Sequence, residues 1–546
     1  MVKTSGGALL LSLKLDQGSA KPLSSQLCLA LRELILSGAL RAGDRLPASR
    51  TVARDLGVSR TTVIEAFARL QAEGLIEARV GAGSYVSAAL DGPRPSPAGA
   101  PAAAPAPPPP RLSETMTRRA ETFFDRLPHE PRAFTTAMPA FDAFPMALWS
   151  RHVAKHWRDQ REVVLGYGDS QGYLPLRRAV AAHLRANRAI ACEPEQIFIV
   201  NGAQHGFQLI ASILLDPGDP VWIENPGAIG ARNCFAAAGA ELVPVPVDEE
   251  GLVVEAGLVQ APGFRLAFVT PSHQQPMGST MSLRRRLALL AAAEQADAWI
   301  VEDDYDGEFC YAGRPPPTLK STDSAGRVIY VGTFSKSLFP ALRLGYVLVP
   351  PGLVEVFDKA MRCFVPGVPS NPQAVVADFM EEGNFATHIR RMRKLYAERH
   401  EALLAAARAR LGGLLEVVPT GTGLHTVGLL APVLEETEVA RRAWERGITV
   451  VPLQRFALAP IAARGLVLGF SGVGPAELKR GVAVLGAVME EVLAEAAAAP
   501  SLVDRHPRPP SRHPRGSGDP EEEAADTSPT ASAQAAPVSG SPLSRG

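Results

Sequence analysis

The chain has 546 residues, of which 46% are hydrophobic and 21% charged, and its 56 basic and 56 acidic side chains cancel. That length exceeds one hydrophobic core and predicts two or three domains with linkers, while the composition excludes a fibrous or wholly disordered protein. Five cysteines (Cys28, Cys192, Cys234, Cys310, Cys363) lack metal-ligand spacing, and the sequence shows no signal-like leader or long apolar run; a reduced, cytoplasmic protein without membrane attachment is expected.

Residues 1–90 hold eleven Lys/Arg against seven Asp/Glu, a local surplus of four positive charges in a neutral chain. Apolar spacing at Leu27, Ala30, Leu31 and Leu34 predicts a helix over 26–36, stopped by Gly38. After the turn Gly43-Asp44-Arg45-Leu46-Pro47, with Ser49 as a helix start, two short helices are predicted at about 49–56 and 59–72. Gly57 lies in the turn between them and Ser59 is the second N-cap, which is helix-turn-helix spacing. Val63, Ala66, Phe67 and Leu70 share one face of the second helix and leave Arg60, Thr61, Thr62 and Arg69 on or near the other. Small hydroxyls and an arginine at a helix start suit phosphates and base edges in a major groove. Residues 74–79 and 81–86 then read as a two-stranded wing with a glycine tip.

A Pro/Ala-rich stretch from residue 91 predicts an extended linker, and the composition from about residue 496 onward predicts a disordered tail. The expected domains are 15–90, a linker 91–125, a large domain 126–495 and the tail 496–546. Within the large domain short apolar strands alternate with helical patterns, the mark of an α/β fold around a mostly parallel sheet. Strand 197–200 runs into Asn201-Gly202-Ala203-Gln204, where a helix start can hold a phosphate on backbone N–H groups. Strand 298–301 delivers Glu302-Asp303-Asp304-Tyr305-Asp306 at its carboxyl end, where parallel sheets place ligands. Strand 328–331 is expected to break at Gly332 into a loop carrying Thr333, Ser335, Lys336 and, seven residues on, Arg343. A lone lysine among small and apolar neighbours has its pKa lowered, the state that attacks an aldehyde to form a Schiff base.

The run Arg45-Leu46-Pro47-Ala48-Ser49-Arg50 through Leu70-Gln71-Ala72-Glu73-Gly74-Leu75 is similar to the GntR-family winged helix. The resemblance implies DNA contacts from Arg50, Ser59, Arg60, Thr61 and Thr62, with the wing tip at 81–84, including Gly83, near the minor groove. The segment 330–346 resembles the lysine loop of fold-type-I pyridoxal-phosphate (PLP) proteins, the aminotransferase superfamily. That resemblance implies a Schiff base on Lys336, Asp303 on the pyridine nitrogen and Tyr305 on the phenolic oxygen. The phosphate would lie among Gly202, Ala203, Gln204, Thr333 and Arg343. The two parts together resemble the MocR subfamily of bacterial regulators, a similarity that also covers Tyr167-Gly168-Asp169 and Thr270-Pro271-Ser272-His273-Gln274. It implies a homodimer that binds double-stranded operator DNA and responds to an amine, an amino acid or PLP itself; the alternative is an active aminotransferase with an appended DNA-binding module. Three departures bear on that choice. Ala228 stands where an aromatic usually stacks on the cofactor, and Gln275 precedes Pro276 where aminotransferases have asparagine. Strand 466–470 lacks the arginine that clamps a substrate carboxylate, with only Arg464 nearby.

Overall fold

The structure, a computed structural model, describes residues 13–79, 83–90, 127–159, 165–311, 317–364 and 367–498, with a few isolated positions between them. The expected linker and tail, and the tip residues Gly81 and Ala82, lie almost wholly outside the described residues. The chain divides into two units, Met1–Arg111 and Leu112–Gly546.

In the first unit helices Leu23–Leu36, Ser49–Leu56 and Arg60–Ala72 precede the paired strands β1 (Ile76–Arg79) and β2 (Gly83–Val86). Leu27, Leu31, Ile35, Val52, Val63, Phe67, Leu70, Ile76 and Val86 form one core, so each element contributes its apolar face. Gly57 closes the second helix at φ +65°, a left-handed conformation that glycine adopts without strain. The Ser59 hydroxyl accepts from Thr62 N at 3.1 Å and so starts the third helix as expected. Ser49 starts the second helix as expected, with Ala48 in the cap position before it.

The second unit is built on eight strands: β3 (Ile197–Val200), β4 (Pro220–Asn225), β5 (Glu241–Asp248), β6 (Gly251–Leu252), β7 (Leu266–Val269), β8 (Trp299–Asp303), β9 (Val328–Thr333) and β10 (Gly345–Leu348). Their order is β3-β10-β9-β8-β7-β4-β5-β6. The run from β9 to β5 is parallel, whereas β10 is antiparallel to both its neighbours and β6 to β5. Ile197, Ile199, Tyr330 and Leu348 face one core, while Phe198, Val200, Val331 and Val347 face another. Burial on both faces explains why these strands read as unbroken apolar runs. A second, antiparallel sheet follows, of β11 (Leu415–Val417), β12 (His425–Leu430), β13 (Val451–Pro452) and β14 (Gly465–Gly469), in the order β11-β12-β14-β13. Helices Asn384–Arg410 and Pro475–Ala498 pack on each other beside it. Among the described residues no helix is long and apolar enough to cross a membrane.

Gly332 does not break its strand as expected. It lies inside β9, opposite Tyr346 of β10, and a Cβ there would overlap the buried Tyr346 ring. Glycine is used for that close approach and not for a turn. Gly332→Ala is therefore expected to destabilise the second unit by about 1–3 kcal/mol through overpacking. Denaturant unfolding checks this, and an unchanged midpoint would contradict the packing of Tyr346 on β9.

Candidate cofactor site and nucleic-acid interface

The strand order concentrates the candidate residues at one end of the large sheet. Asp303 is the last residue of β8 and Thr333 the last of β9, its parallel neighbour. Gly345, the first residue of β10, pairs with both Thr333 and Val200 at the end of β3. It lies so close to Gly202 that a Cβ on it would be 3.2 Å from Gly202 Cα. The antiparallel entry of β10 thus carries Arg343 beside the turn that follows β3. Gly202 has φ +80° and caps helix Ala203–Leu214. A Cβ on Gly202 would meet the Arg343 guanidinium at 3.8 Å, and Arg343 Nη2 donates to Asn201 O at 3.4 Å. Ala203 and Gln204 open that helix, so its amino end and an exposed guanidinium form one anion corner. Thr333 acts locally, since its hydroxyl accepts from Ser335 N at 3.2 Å and caps the short helix Phe334–Ser337.

Lys336 projects from that short helix and donates from Nζ to Ala137 O at 3.1 Å. Desolvation lowers its pKa, against the pull of Asp306 and Asp303. Ala137 belongs to a strap anchored on the second sheet. Gly469 N donates to Phe134 O at 2.9 Å, and Ser471 Oγ donates to Met138 O at 2.6 Å. Sequence reasoning missed this strap, because nothing in residues 133–138 marks them as contacts of a lysine two hundred positions away.

Asp303 is 6% exposed and its Oδ1 has no hydrogen-bond partner among the described residues. Burial first, then repulsion from Asp304 and Asp306, hold its carboxyl well above the usual range. An orphaned buried acceptor of this kind costs about 1–3 kcal/mol, and a cationic N–H donor would satisfy it. Its neighbour Asp304 is already paired with Arg188 and accepts from the Tyr330 hydroxyl. Tyr305 is buried, and desolvation with the surrounding carboxylates raises its phenol well above the usual value, so it keeps its proton. Its hydroxyl lies 3.0 Å from His273 Nδ1. Glu224 accepts from Thr270 N, Thr270 Oγ1 and Gln274 Nε2 yet is pushed up to about 7 by burial.

The three departures have structural counterparts. Ala228 is buried at the N-cap of helix Ile229–Ala238. Gln275 N donates to Thr270 Oγ1 at 3.0 Å. In β14, Val467 is buried with Ile229, Val427, Val451, Leu453 and Phe456, while Arg464 is exposed just before the strand. Arg232 is buried with Nη1 donating to Ala457 O at 3.1 Å, a buttress for the loop above it.

In the first unit Arg50, Ser59, Arg60 and Thr61 are exposed and Thr62 is half-buried. Neither Arg50 nor Arg60 forms an ion pair among the described residues, whereas Arg69 is engaged by Glu65 and Ser25. Gly83 is exposed at φ +103° with the Arg45 guanidinium alongside it, and Arg79 lies over the Tyr85 ring at 4.6 Å. The helix start thus presents the exposed Arg60, without an ion pair among the described residues, and Arg45 and Arg79 lie at the wing.

Residues 147–485 match the family described as aminotransferase class I and II, and residues 23–86 match the bacterial regulatory proteins of the gntR family. The chain is 40% identical over 470 residues to the probable rhizopine catabolism regulatory protein MocR of Rhizobium meliloti, covering 86% of this chain and 94% of the relative. It is 31% identical to the pyridoxine biosynthesis transcriptional regulator PdxR of Corynebacterium glutamicum, over 84% of this chain and 94% of the relative. Among solved structures it is similar to a kynurenine aminotransferase of Pyrococcus horikoshii, with TM-score 0.62 and 26% identity over 70% of this chain and 96% of the other. It is equally similar to the α-aminoadipate aminotransferase LysN of Thermus thermophilus, solved with N-(5'-phosphopyridoxyl)-L-leucine, with TM-score 0.62 and 27% identity over 70% and 96% of the two chains. Arg343→Ala is expected to weaken binding of pyridoxal phosphate by about tenfold or more, the loss of one charge-assisted contact, and Arg343→Lys by less. Equilibrium dialysis checks this; equal affinity in all three proteins would contradict the anion corner.

Proposed function

The chain belongs to the MocR-type transcriptional regulators, in which a GntR winged helix precedes a class I and II aminotransferase domain, and from that premise we propose that it holds PLP through Lys336 and converts the arrival of an amine, an amino acid or PLP into a change in operator binding. The observation that carries the proposal is Asp303, a buried carboxylate whose free oxygen lacks the cationic N–H that a pyridinium supplies.

When bound, PLP supplies an aldehyde that condenses with primary amines and a ring that withdraws electrons from them. The chain's own residues do the rest. Desolvation keeps a larger share of Lys336 as the neutral, nucleophilic amine. Asp303 holds a proton on the ring nitrogen, and Tyr305, protonated in its buried place, donates to the phenolic oxygen. Gly202, Ala203, Gln204 and Arg343 receive the phosphate, with Thr333 shaping the turn that presents Lys336. β14 carries no arginine to clamp a carboxylate, its Val467 being packed among apolar side chains, which favours an effector read by its amine over one gripped by an α-carboxylate.

Exposed Leu165, Tyr167 (96% exposed) and Phe364 support a homodimer, since large apolar side chains in the open commonly mark an interface. Two winged helices would then meet two half-sites of an operator in the cytoplasm. Arg50, Arg60 and the Ser59–Thr62 helix start are the readers, and Gly83 lets the wing approach the backbone.

The purified protein is expected to show a visible absorbance band that Lys336→Ala abolishes; a colourless wild-type protein would contradict the cofactor reading. Arg60→Ala is expected to weaken binding to the protein's own upstream region by about 1–3 kcal/mol while affecting random DNA far less. Gel-shift titration checks this, and equal loss on both DNAs would reduce Arg60 to a phosphate contact. Sustained keto-acid production from an added amine would favour the aminotransferase reading over the sensor.

A further inference from the structure

The motif Thr270-Pro271-Ser272-His273-Gln274 carries a histidine that stands outside the set of cofactor contacts. His273 is 1% exposed, with Nδ1 2.9 Å from Asp306 Oδ2 and 3.0 Å from the Tyr305 hydroxyl. Asp306 is equally buried. A carboxylate oxygen only accepts, so the hydrogen must be on Nδ1; the other neutral tautomer would set two lone pairs against each other. With Nδ1 a donor, the Tyr305 oxygen meets a hydrogen and not a lone pair. The hydrogen of Tyr305 is then left to point elsewhere.

The ring is held in that pose from several sides. A Cβ on Gly423, which has φ +80°, would overlap the imidazole, and one on Gly278 would lie 3.2 Å from Nε2. His425 of β12 packs at 4.8 Å between ring centroids, its own Nε2 facing Pro276 O at 3.2 Å. The other charged or titratable groups coupled to this cluster are Asp303, Asp304, Glu224, Glu308, Tyr311 and Lys336. Neither His273 nor Asp306 is among the residues proposed to hold the cofactor; His273 reaches that set through the Tyr305 hydroxyl, and Asp306 also through its charge on Lys336.

We propose that His273, fixed in its Nδ1–H form by Asp306, is a positioning residue that turns the Tyr305 hydroxyl hydrogen toward the phenolic oxygen of bound PLP. The inference rests on the PLP reading of the site. Tyr305 then always acts as donor to the cofactor, and Asp306 governs that polarity from two side chains away. The loop carrying Gly423 leads into β12, so the second sheet takes part in aiming a hydroxyl that belongs to the first.

The test is a pH titration of the visible absorbance of the full-length, PLP-loaded protein. The alkaline form concentrates negative charge on the phenolic oxygen, so losing a donor there raises the midpoint. Tyr305→Phe should raise it by about one to two pH units, the weight of one hydrogen bond to a charged acceptor. Asp306→Asn, nearly isosteric, should also raise it, because an amide no longer obliges Nδ1 to carry the hydrogen, and the freed lone pair can accept from the Tyr305 hydroxyl. Loss of the Asp306 charge alone would lower the midpoint, so the sign separates the two effects. Adding Asp306→Asn to Tyr305→Phe should give no further rise, since no hydroxyl remains to aim. His273→Phe should behave like Asp306→Asn; if it fails to fold, Asp306→Asn decides. A midpoint in Asp306→Asn that is unchanged or lowered, or a further rise in the double variant, would overturn the proposal. So would an unchanged midpoint in Tyr305→Phe. A colourless wild-type protein would instead end the PLP reading itself.

Discussion

A buried carboxylate left unmatched is the constraint around which the large unit is arranged. Asp303 stands at the end of β8, surrounded by Asp304, Asp306 and Glu224, which all oppose its ionisation. Protein interiors rarely leave such an acceptor without a donor. The neighbouring acids each have a partner: Asp304 is paired through Oδ2 with Arg188, although its Oδ1 has no hydrogen bond among the described residues, Asp306 is paired with His273, and Glu302 receives the N–H groups of Leu319 and Lys320. Among the described residues Asp303 has an orphaned oxygen and no such ion pair to offset it, and Lys336 is the positive charge that acts on it from nearby. Unsatisfied polarity at a strand end is therefore the signature of a place meant for a ligand, and the charge of that ligand follows from the sign of the residue.

The fold makes this arrangement possible by reversing one strand. β10 enters the sheet antiparallel between β3 and β9, so its amino end meets their carboxyl ends. That inversion brings Arg343 to the anion corner formed by Gly202 and the helix start, which a purely parallel sheet would not do. The second sheet adds a different contribution. Through Phe134–Met138 it holds Lys336, and through Gly423 and His425 it confines His273. A displacement of that sheet would be felt at both the lysine and the tyrosine. A bistable element touching both groups is what a sensor needs if effector binding is to shift a population of states.

Much of this is legible in the sequence because it is carried by local pattern. Glycine turns, the helix-turn-helix spacing and the apolar runs of Ile197–Val200 and Val328–Val331 depend on neighbours within a few positions. Gly332 misleads because a glycine after an apolar run looks like a turn, while its actual reason, the Tyr346 ring, comes fourteen residues later on another strand. The strap at Ala137 and the His273–Asp306 contact are invisible for the same reason: each depends on atoms brought together by topology. The histidine belongs to a motif that stands out in the sequence, but only the structure supplies the carboxylate that fixes its tautomer.

In the proposed function, cofactor chemistry at Lys336 and DNA binding by the winged helix are one coupled equilibrium. The most direct measurement titrates a candidate amine into a single sample of full-length protein with its operator, following the visible band and DNA binding together. Both should change over the same range of amine concentration, and operator DNA should in turn shift the amine titration by the same factor. A band that responds fully to the amine while operator affinity stays constant would contradict the coupling.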